Sequence, residues 1–458
     1  MDTTIHRNAA TCRNIHFNLH LQPFADHMTL DPTETRVMVR GQGIYLWDSS
    51  GMQYMDASSG AFCTAVGYGR PELVEAAAHQ LTQLSYCTPF FNTVHPALAE
   101  LTEQLFALLP DSFGRVTYTN SGSEANDVLI RVVRRYWDAM GKSSKKILVA
   151  RSNGYHGSTV GSASLSGMAT MHAMGDLPIP GVCHIDQPYW YGYRGTLDED
   201  AFGLQLAREL EEKILTHGPE RVAAFVAEPI QGAAGIIIPP ATYWPEIQRI
   251  CRKYDVLLCL DEVTGGFGRF GKWFSCAHFG LEPDAITFAK GLTSGYVPMG
   301  GLAVSRKMAD AVAGAGMFAH GLTFQGNPLA AAVACANLRL LGDGGLVERA
   351  GSDIGPYFQR RLRETFGAHP LVGEIQGVGL GAALQLAPPG KRKLGFGDET
   401  VIGKFCMQMG MEEGLIFRCS LARLAVAPPL IVTHAQVDEL IRRLARAVDR
   451  THAAIESA

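Results

Sequence analysis

No stretch of this 458-residue sequence approaches the roughly 20 consecutive apolar residues that a membrane-spanning helix needs. No long Lys/Arg run occurs and the formal net charge is only -4, so neither nucleic acid nor an anionic membrane is expected as the main partner. The opening segment, MDTTIHRNAATCRNIHFNLH, lacks the apolar core of a secretory signal. Ten cysteines are present, yet none is paired as CxxC or spaced as a metal-ligand set. Cys259 and Cys335 sit inside apolar runs, as reduced core thiols of a cytoplasmic protein do. There is no HExxH, and no internal repeat or low-complexity linker. What is there is 47% hydrophobic and 18% charged residues, enough to bury a large core and too apolar for a disordered chain.

Residues 1–40 show no regular pattern. Residues 43–57, GIYLWDSSGMQYMDA, read as two strands around an Asp-Ser-Ser-Gly turn. Helical periodicity covers 71–84 and 96–109, opened by Pro71 and Pro96. From about residue 115, short apolar runs (115–119, 146–150, 222–229, 256–263, 285–290) alternate with helical segments such as 124–140 and 242–254. That alternation predicts an α/β fold with a mainly parallel sheet covered on both faces, its functional loops at the carboxyl ends of the strands. After a helix near 327–341, residues 371–386 and 415–432 read as strands of a smaller α+β unit. The expected division is 1–75 contributing to the small domain, 76–330 forming the large domain and 331–458 completing the small one.

The segment 258–273, LCLDEVTGGFGRFGKW, carries three overlapping signals. Gly266, Gly268 and Gly271 fit GxGxxG, but no clear helix follows to hold a pyrophosphate. Gly266 to Lys272 fits most of a P-loop, but Trp273 stands where the magnesium-binding Ser or Thr belongs. Asp261, at the end of an apolar strand, remains. A carboxylate there suits a metal, a proton transfer or a protonated heterocycle. The third option needs a nearby amine, and Lys290 ends the next apolar run, 290 − 261 = 29 residues on, enough for one crossover. A strand-end lysine can condense with an aldehyde, and a strand-end aspartate can keep a pyridine ring protonated, the two needs of a pyridoxal phosphate site.

Further motifs supply the remaining parts. In 119–127, TNSGSEAND, Ser121 and Glu124 form a capping-box pattern at a helix start. The same amides can bind phosphate, with Gly122 allowing close approach and the Ser123 hydroxyl assisting. In 153–158, NGYHGS, Tyr155 stands between glycines, placed to stack on a flat ring. Glu228 ends the run in VAEPIQG.

Taken together, YLWDSSG, VGYGR, NSGSEAND, NGYHGST, GDLPIPG, AEPIQGA, TYWPEI, DEVTGGFGR, AKGLTSGY and APPL resemble the class III (omega) aminotransferases, enzymes of pyridoxal-phosphate fold type I. Within them the chain looks most like the amine:pyruvate and putrescine:pyruvate transaminases, from about Leu19 to the C-terminal helix. The resemblance implies roles. Lys290 is the Schiff-base lysine and proton carrier, and Asp261 the partner of the pyridine nitrogen. Tyr155 and Val263 flank the ring, Gly122 and Ser123 bind phosphate, and Glu228 supports the network around Asp261. Thr323 reaches the phosphate of the neighbouring subunit, so a homodimer with shared sites is implied; pairing into tetramers stays open. Arg418 is the mobile arginine that grips a substrate carboxylate, for which a planar guanidinium is suited. The implied reaction moves an amino group from a primary amine to a keto acid such as pyruvate, giving a ketone or aldehyde and L-alanine.

Some positions depart from that pattern. Phe62 stands where relatives usually carry Trp, and Leu322 where they carry Phe. Thr323-Phe-Gln-Gly-Asn-Pro328 replaces TYSGHP, and Leu421-Ala422 replaces a Gly-Asp turn after Arg418. An apolar pocket lined by Phe24, Phe62, Phe90 and Leu322, suited to bulky or long-chain amines, is the expectation. The alternatives are β-alanine, taurine or diamine:pyruvate transamination, a dialkylglycine-type decarboxylation or an aminomutase on the same scaffold. Outside that scaffold stand a nicotinamide-dependent oxidoreductase and a catalytically silent binding protein.

Overall fold

The computed structural model describes residues 8–457 except 30, 32, 34, 194 and 388–398. Among them, seven strands form the central sheet, in the spatial order Phe113–Thr119, Gly300–Ser305, Ala285–Phe288, Leu257–Asp261, Val222–Ala227, Ile147–Arg151 and Val182–Ile185. The last five run parallel, and Gly300–Ser305 is antiparallel to both neighbours. Parallel neighbours need crossovers, and the helices Gly122–Ala139, Glu199–His217 and Tyr243–Lys253 lie between strands in the chain.

The strands are apolar on both faces because both are covered. On one face Leu148, Ala150, Val226 and Cys259 pack under Leu129, Val133 and Trp137 of the helix Gly122–Ala139. On the other, Val149, Phe225, Leu258 and Leu260 join a cluster with Phe202, Leu206, Trp244 and Ile247. Each such fully buried side chain contributes about 1.5–3 kcal/mol.

All five strands read from the sequence are present; two more are not legible there. Gly300–Ser305 opens on two glycines, which signal a loop. A Cβ on Gly300 would lie 2.7 Å from the Ser121 carbonyl oxygen, so glycine is what lets this strand pass beside that turn. Val182–Ile185 is too short to stand out.

The hairpin expected in 43–57 is present as Tyr45–Asp48 and Gln53–Asp56. Met38–Gln42 joins it on one edge and Leu415–Ile416 on the other, Met55 pairing with Leu415. A third sheet contains Val372–Val378, Gly381–Leu386, Arg423–Val426 and Arg418–Ser420, in that order. The irregular reading of 1–40 is corrected in part: Ala9–Leu19 is a helix, its start capped by Asn8. It buries none of its residues, so it has no apolar stripe to read. Residues 1–7 lie outside the described residues. No single helix among the described residues is long and apolar enough to cross a membrane.

Candidate active site

Asp261 is the last residue of Leu257–Asp261, and Thr287 pairs with it on the adjacent parallel strand. Just past that strand's end the chain turns at Lys290, whose backbone takes a φ of +38°. Such a conformation costs a side-chain-bearing residue of order 1–3 kcal/mol and persists only where its surroundings enforce it. Asn337 does so, donating to the carbonyls of Gly291 at 2.8 Å and Leu292 at 2.9 Å.

The Asp261 carboxylate is 2% exposed and accepts three hydrogen bonds. Its Oδ2 accepts from Asn126 Nδ2 at 2.8 Å and His156 Nδ1 at 2.7 Å, and its Oδ1 accepts from the Val263 amide at 2.9 Å. Asn126 is itself held by Thr287, whose hydroxyl donates to its Oδ1 at 3.2 Å. Neither Asn126 nor His156 was singled out from the sequence. His156 sits beside Tyr155 in a motif whose signal is the aromatic ring, and Asn126 lies in TNSGSEAND, whose signal is the helix start.

Lys290 Nζ donates to Thr264 Oγ1 at 3.1 Å and lies 5.6 Å above the Phe62 ring. Burial lowers its pKa from 10.5; Cys63, Glu228 and Asp261 oppose that shift, and the Arg418 charge adds to it. Arg418, first residue of Arg418–Ser420, is thus within electrostatic reach of the lysine. Glu228, whose pKa burial raises, accepts from the Tyr155 amide at 3.2 Å and the Gly232 amide at 2.7 Å. The buried Arg151 guanidinium donates to its carbonyl.

Gly122, Ser123, Tyr155 and Val263 converge beside these groups. A Cβ on Gly122 would stand 2.9 Å from both methyls of Val263. Ser123 Oγ accepts from the Ser158 amide at 3.2 Å, and the Tyr155 hydroxyl meets Ser158 Oγ at 3.1 Å. The capping box differs from expectation by one residue. Ser121 Oγ accepts from the Glu124 amide at 3.2 Å, but the Glu124 carboxylate reaches back to the Asn120 amide, at 2.7 Å. The first-turn amides of this helix have no intrahelical acceptor and face the same region.

Phe62 is buried in this group, and Phe24, 78% exposed, brings its ring to 6.5 Å from Tyr155. Thr323, Leu322 and Phe90 belong to two segments of the chain, 86–90 and 321–325, that touch each other. The Thr323 carbonyl accepts from Tyr86 at 2.8 Å, the Leu322 amide donates to Gln325, and the Phe90 ring packs on Gly321. The glycine-rich stretch after Asp261 is a turn. Phe267, Gly268 and Gly271 all have positive φ, and only a short 3-10 turn, Ser275–Phe279, follows.

Pyridoxal phosphate fits these residues. A carboxylate offers about four lone-pair sites, and three on Asp261 are taken, which leaves one for a protonated ring nitrogen. The amine is enclosed, and the Gly122–Val263 contact is a cradle that a side chain would fill. Asp261, Tyr155 and Val263 would hold the ring, and Gly122 and Ser123 the phosphate. Among the described residues no three His, Cys, Asp or Glu side chains are grouped to hold a metal ion.

A mainly parallel sheet that delivers a buried aspartate and a turned-out lysine from adjacent strand ends defines a pyridoxal-phosphate enzyme of fold type I. More narrowly, the chain belongs to the class-III aminotransferases, whose family signature matches residues 29–448. A putrescine–pyruvate aminotransferase of Pseudomonas aeruginosa is 46% identical, covering 95% of this chain and 95% of its own. A diaminobutyrate–2-oxoglutarate transaminase of Halomonas elongata is 37% identical, covering 95% of this chain and 94% of its own. An omega transaminase of Pseudomonas jessenii, solved in complex with PMP, superposes with a TM-score of 0.93 at 37% identity, over 97% of this chain and 99% of that one. The protein is accordingly a pyridoxal-phosphate-dependent aminotransferase.

Proposed function

We propose that this protein is an amine:pyruvate aminotransferase that takes bulky or long-chain primary amines and returns a ketone or aldehyde and L-alanine. The observation that carries this reading is the meeting of two cations with different tasks. One is Lys290, whose pKa burial lowers, so that more of its amine is unprotonated and nucleophilic. The other is Arg418, exposed but within charge reach of it. Bound pyridoxal phosphate supplies an aldehyde for the amino group and a protonated ring that takes up the electron pair freed at the substrate Cα. Lys290 Nζ removes and returns the Cα proton. Asp261, oriented by Asn126 and His156, would keep the ring nitrogen protonated by facing it with a carboxylate. Tyr155 and Val263 would flank the ring, and Glu228 holds Tyr155 in place through its amide. Arg418 grips the carboxylate of the keto acid and swings aside for an amine without one.

Two facts favour a bulky monoamine. Phe62 presents aromatic surface to Lys290, and Phe24 adds its ring to that of Tyr155. The carboxylates whose charge reaches Lys290, Glu228 and Asp261, already accept N–H donors, which leaves them ill placed for a distal ammonium. The diamine alternative draws on the 46% identity to an enzyme named for putrescine. A donor series with pyruvate decides between them: benzylic and long-chain monoamines should outrank putrescine in kcat/KM. Turnover of short diamines or β-alanine alone would remove the bulky-amine reading. Release of carbon dioxide without alanine would mark a decarboxylase.

The same reading includes a cytoplasmic homodimer in which Thr323 of each chain completes the phosphate site of the other. The exposure of Phe324, beside Thr323, and of Phe91 in a single chain supports it. We also retain the division of the chain at residues 75 and 330.

A further inference from the structure

A second buried cation takes no part in the chemistry above. Arg423, 2% exposed, opens the strand Arg423–Val426. Its Nε donates to the Gly235 carbonyl at 2.7 Å. Its Nη1 donates to Glu374 at 2.6 Å and Tyr189 Oη at 3.0 Å, and its Nη2 to Gln376 at 2.8 Å and the Ile236 carbonyl at 3.3 Å. A guanidinium has five N–H donors, so this one is saturated. A buried ion pair is seldom worth its desolvation for stability alone, which makes its geometric consequence the more informative question.

Its partners come from separate pieces of chain. Glu374 and Gln376 belong to the strand Val372–Val378 of the same small sheet. Gly235 and Ile236 belong to the loop that leaves Glu228. The approach is close: a Cβ on Gly235 would stand 2.8 Å from Arg423 Cδ, and Gly235 has a φ of +102°. On the sheet side, Arg418 pairs with Ala425 and Ser420 with Arg423, so Arg418 and Arg423 project from the same face. That face meets the loop through Ala425, which packs with Phe62, Ile230 and Ile236. On the loop side, the Gly232 amide is bonded to Glu228, and Glu228 to the Tyr155 amide.

We propose that Arg423 is a positioning residue for keto-acid recognition: it clasps the sheet bearing Arg418 to the Glu228 loop and so sets where a substrate carboxylate meets Arg418. This rests on the assignment of Arg418 as the carboxylate-gripping residue. A carboxylate-free amine does not use Arg418, so the clasp should serve one half-reaction and not the other. A merely structural arginine would affect both equally.

The test uses the holoenzyme carrying Arg423→Gln, with Glu374→Gln as a milder variant that removes the carboxylate charge facing Arg423 and leaves its other four bonds untouched. Both are compared with wild type in pyruvate KM and kcat, in the single-turnover rate with a carboxylate-free amine, and in hydrogen exchange of segments 230–237 and 418–426. For Arg423→Gln we expect pyruvate KM to rise about 10–100-fold, since a small misplacement of a binding group has effects of that order. The amine half-reaction should change less than about 3-fold, and exchange should accelerate in both segments. Adding Arg423→Gln to Arg418→Ala should raise KM no further. Equal losses in both half-reactions, additive losses with Arg418→Ala, or unchanged KM and exchange would each overturn the proposal. If Arg423→Gln does not fold, Glu374→Gln carries the same comparison with a smaller expected rise in KM. If wild type does not use pyruvate at all, the functional reading fails instead, and the exchange measurement still decides whether the clasp exists.

Discussion

Burial lowers the Lys290 pKa because an enclosed ammonium loses hydration that Asp261 and Glu228 restore only in part. Two outcomes follow at this residue. Lys290→Ala should abolish turnover in a donor–pyruvate assay, since no other amine stands at that point. The cofactor-free protein should also show a pH signature. Between the lowered folded value and the ordinary 10.5, the unfolded chain binds the extra proton, so stability rises with pH across that window and levels off above it. Urea unfolding at a series of pH values should show this rise in wild type relative to Lys290→Met; parallel curves would exclude it. Asp261 is read through its supports. Asn126→Ala removes a hydrogen bond to a charged group, worth roughly 1.5–3 kcal/mol, together with its bonds to the His156 carbonyl and the Thr287 hydroxyl, so kcat should fall about 10–100-fold and the unfolding midpoint should drop as well. Asp261→Asn should cost more. The sequence pointed to Asp261 and Lys290 through their place at strand ends. Asn126, His156 and Thr287 gave no such signal, because their importance lies in which carboxylate oxygen they touch.

At the scale of elements, the helix Gly122–Ala139 begins where a cofactor phosphate is expected, and the strand Leu257–Asp261 ends where its ring is expected. Gly122 lies where the two meet. A glycine in a helix ordinarily costs up to about 1 kcal/mol relative to alanine, so Gly122→Ala would normally stabilise. Here the added methyl meets Val263 at 2.9 Å. Cofactor affinity should therefore drop by about tenfold, read from fluorescence titration, and the cofactor-free melting temperature should fall rather than rise, since overpacking costs about 1–3 kcal/mol. The loop after Asp261 is tied by Glu262, which accepts from Ser275 N at 3.0 Å, Ser275 Oγ at 2.6 Å and Cys276 N at 2.6 Å. Burial pushes its carboxyl up to about 7 despite these donors. Glu262→Ala leaves buried amides unpaired at about 1–3 kcal/mol each, and denaturant unfolding should show a loss of roughly 3 kcal/mol or more. The GxGxxG spacing belongs to this tied loop. Two of its glycines, Gly268 and Gly271, serve positive-φ turns, which the sequence showed only as a motif with several meanings.

For the molecule as a whole, the question is how many chains make one site. Phe24, Phe91 and Phe324 are exposed in a single chain, Phe91 to 91%, and Thr323, next to Phe324, is bonded through its carbonyl to Tyr86. Two chains of 49.5 kDa should sediment together at 2 × 49.5 = 99 kDa. Sharing of sites has a sharper test. Mixing Lys290→Ala chains with Thr323→Ala chains yields heterodimers with one intact site if Thr323 acts across the interface, and activity should return. No recovery after verified subunit exchange would place Thr323 with its own chain.

The sequence by itself determined the sheet's parallel core, the strand-end positions of Asp261 and Lys290, and the membership of the chain in its family. Those features are written in local periodicity and in motifs of fixed spacing. Only the tertiary structure decided the insertion of Gly300–Ser305 between two strands, the hydrogen bonds that Asn126 and His156 make to one carboxylate oxygen, and the five-bond burial of Arg423. Each depends on residues far apart in the chain arriving at one point, and a contact of that kind leaves no period or spacing in the order of the amino acids.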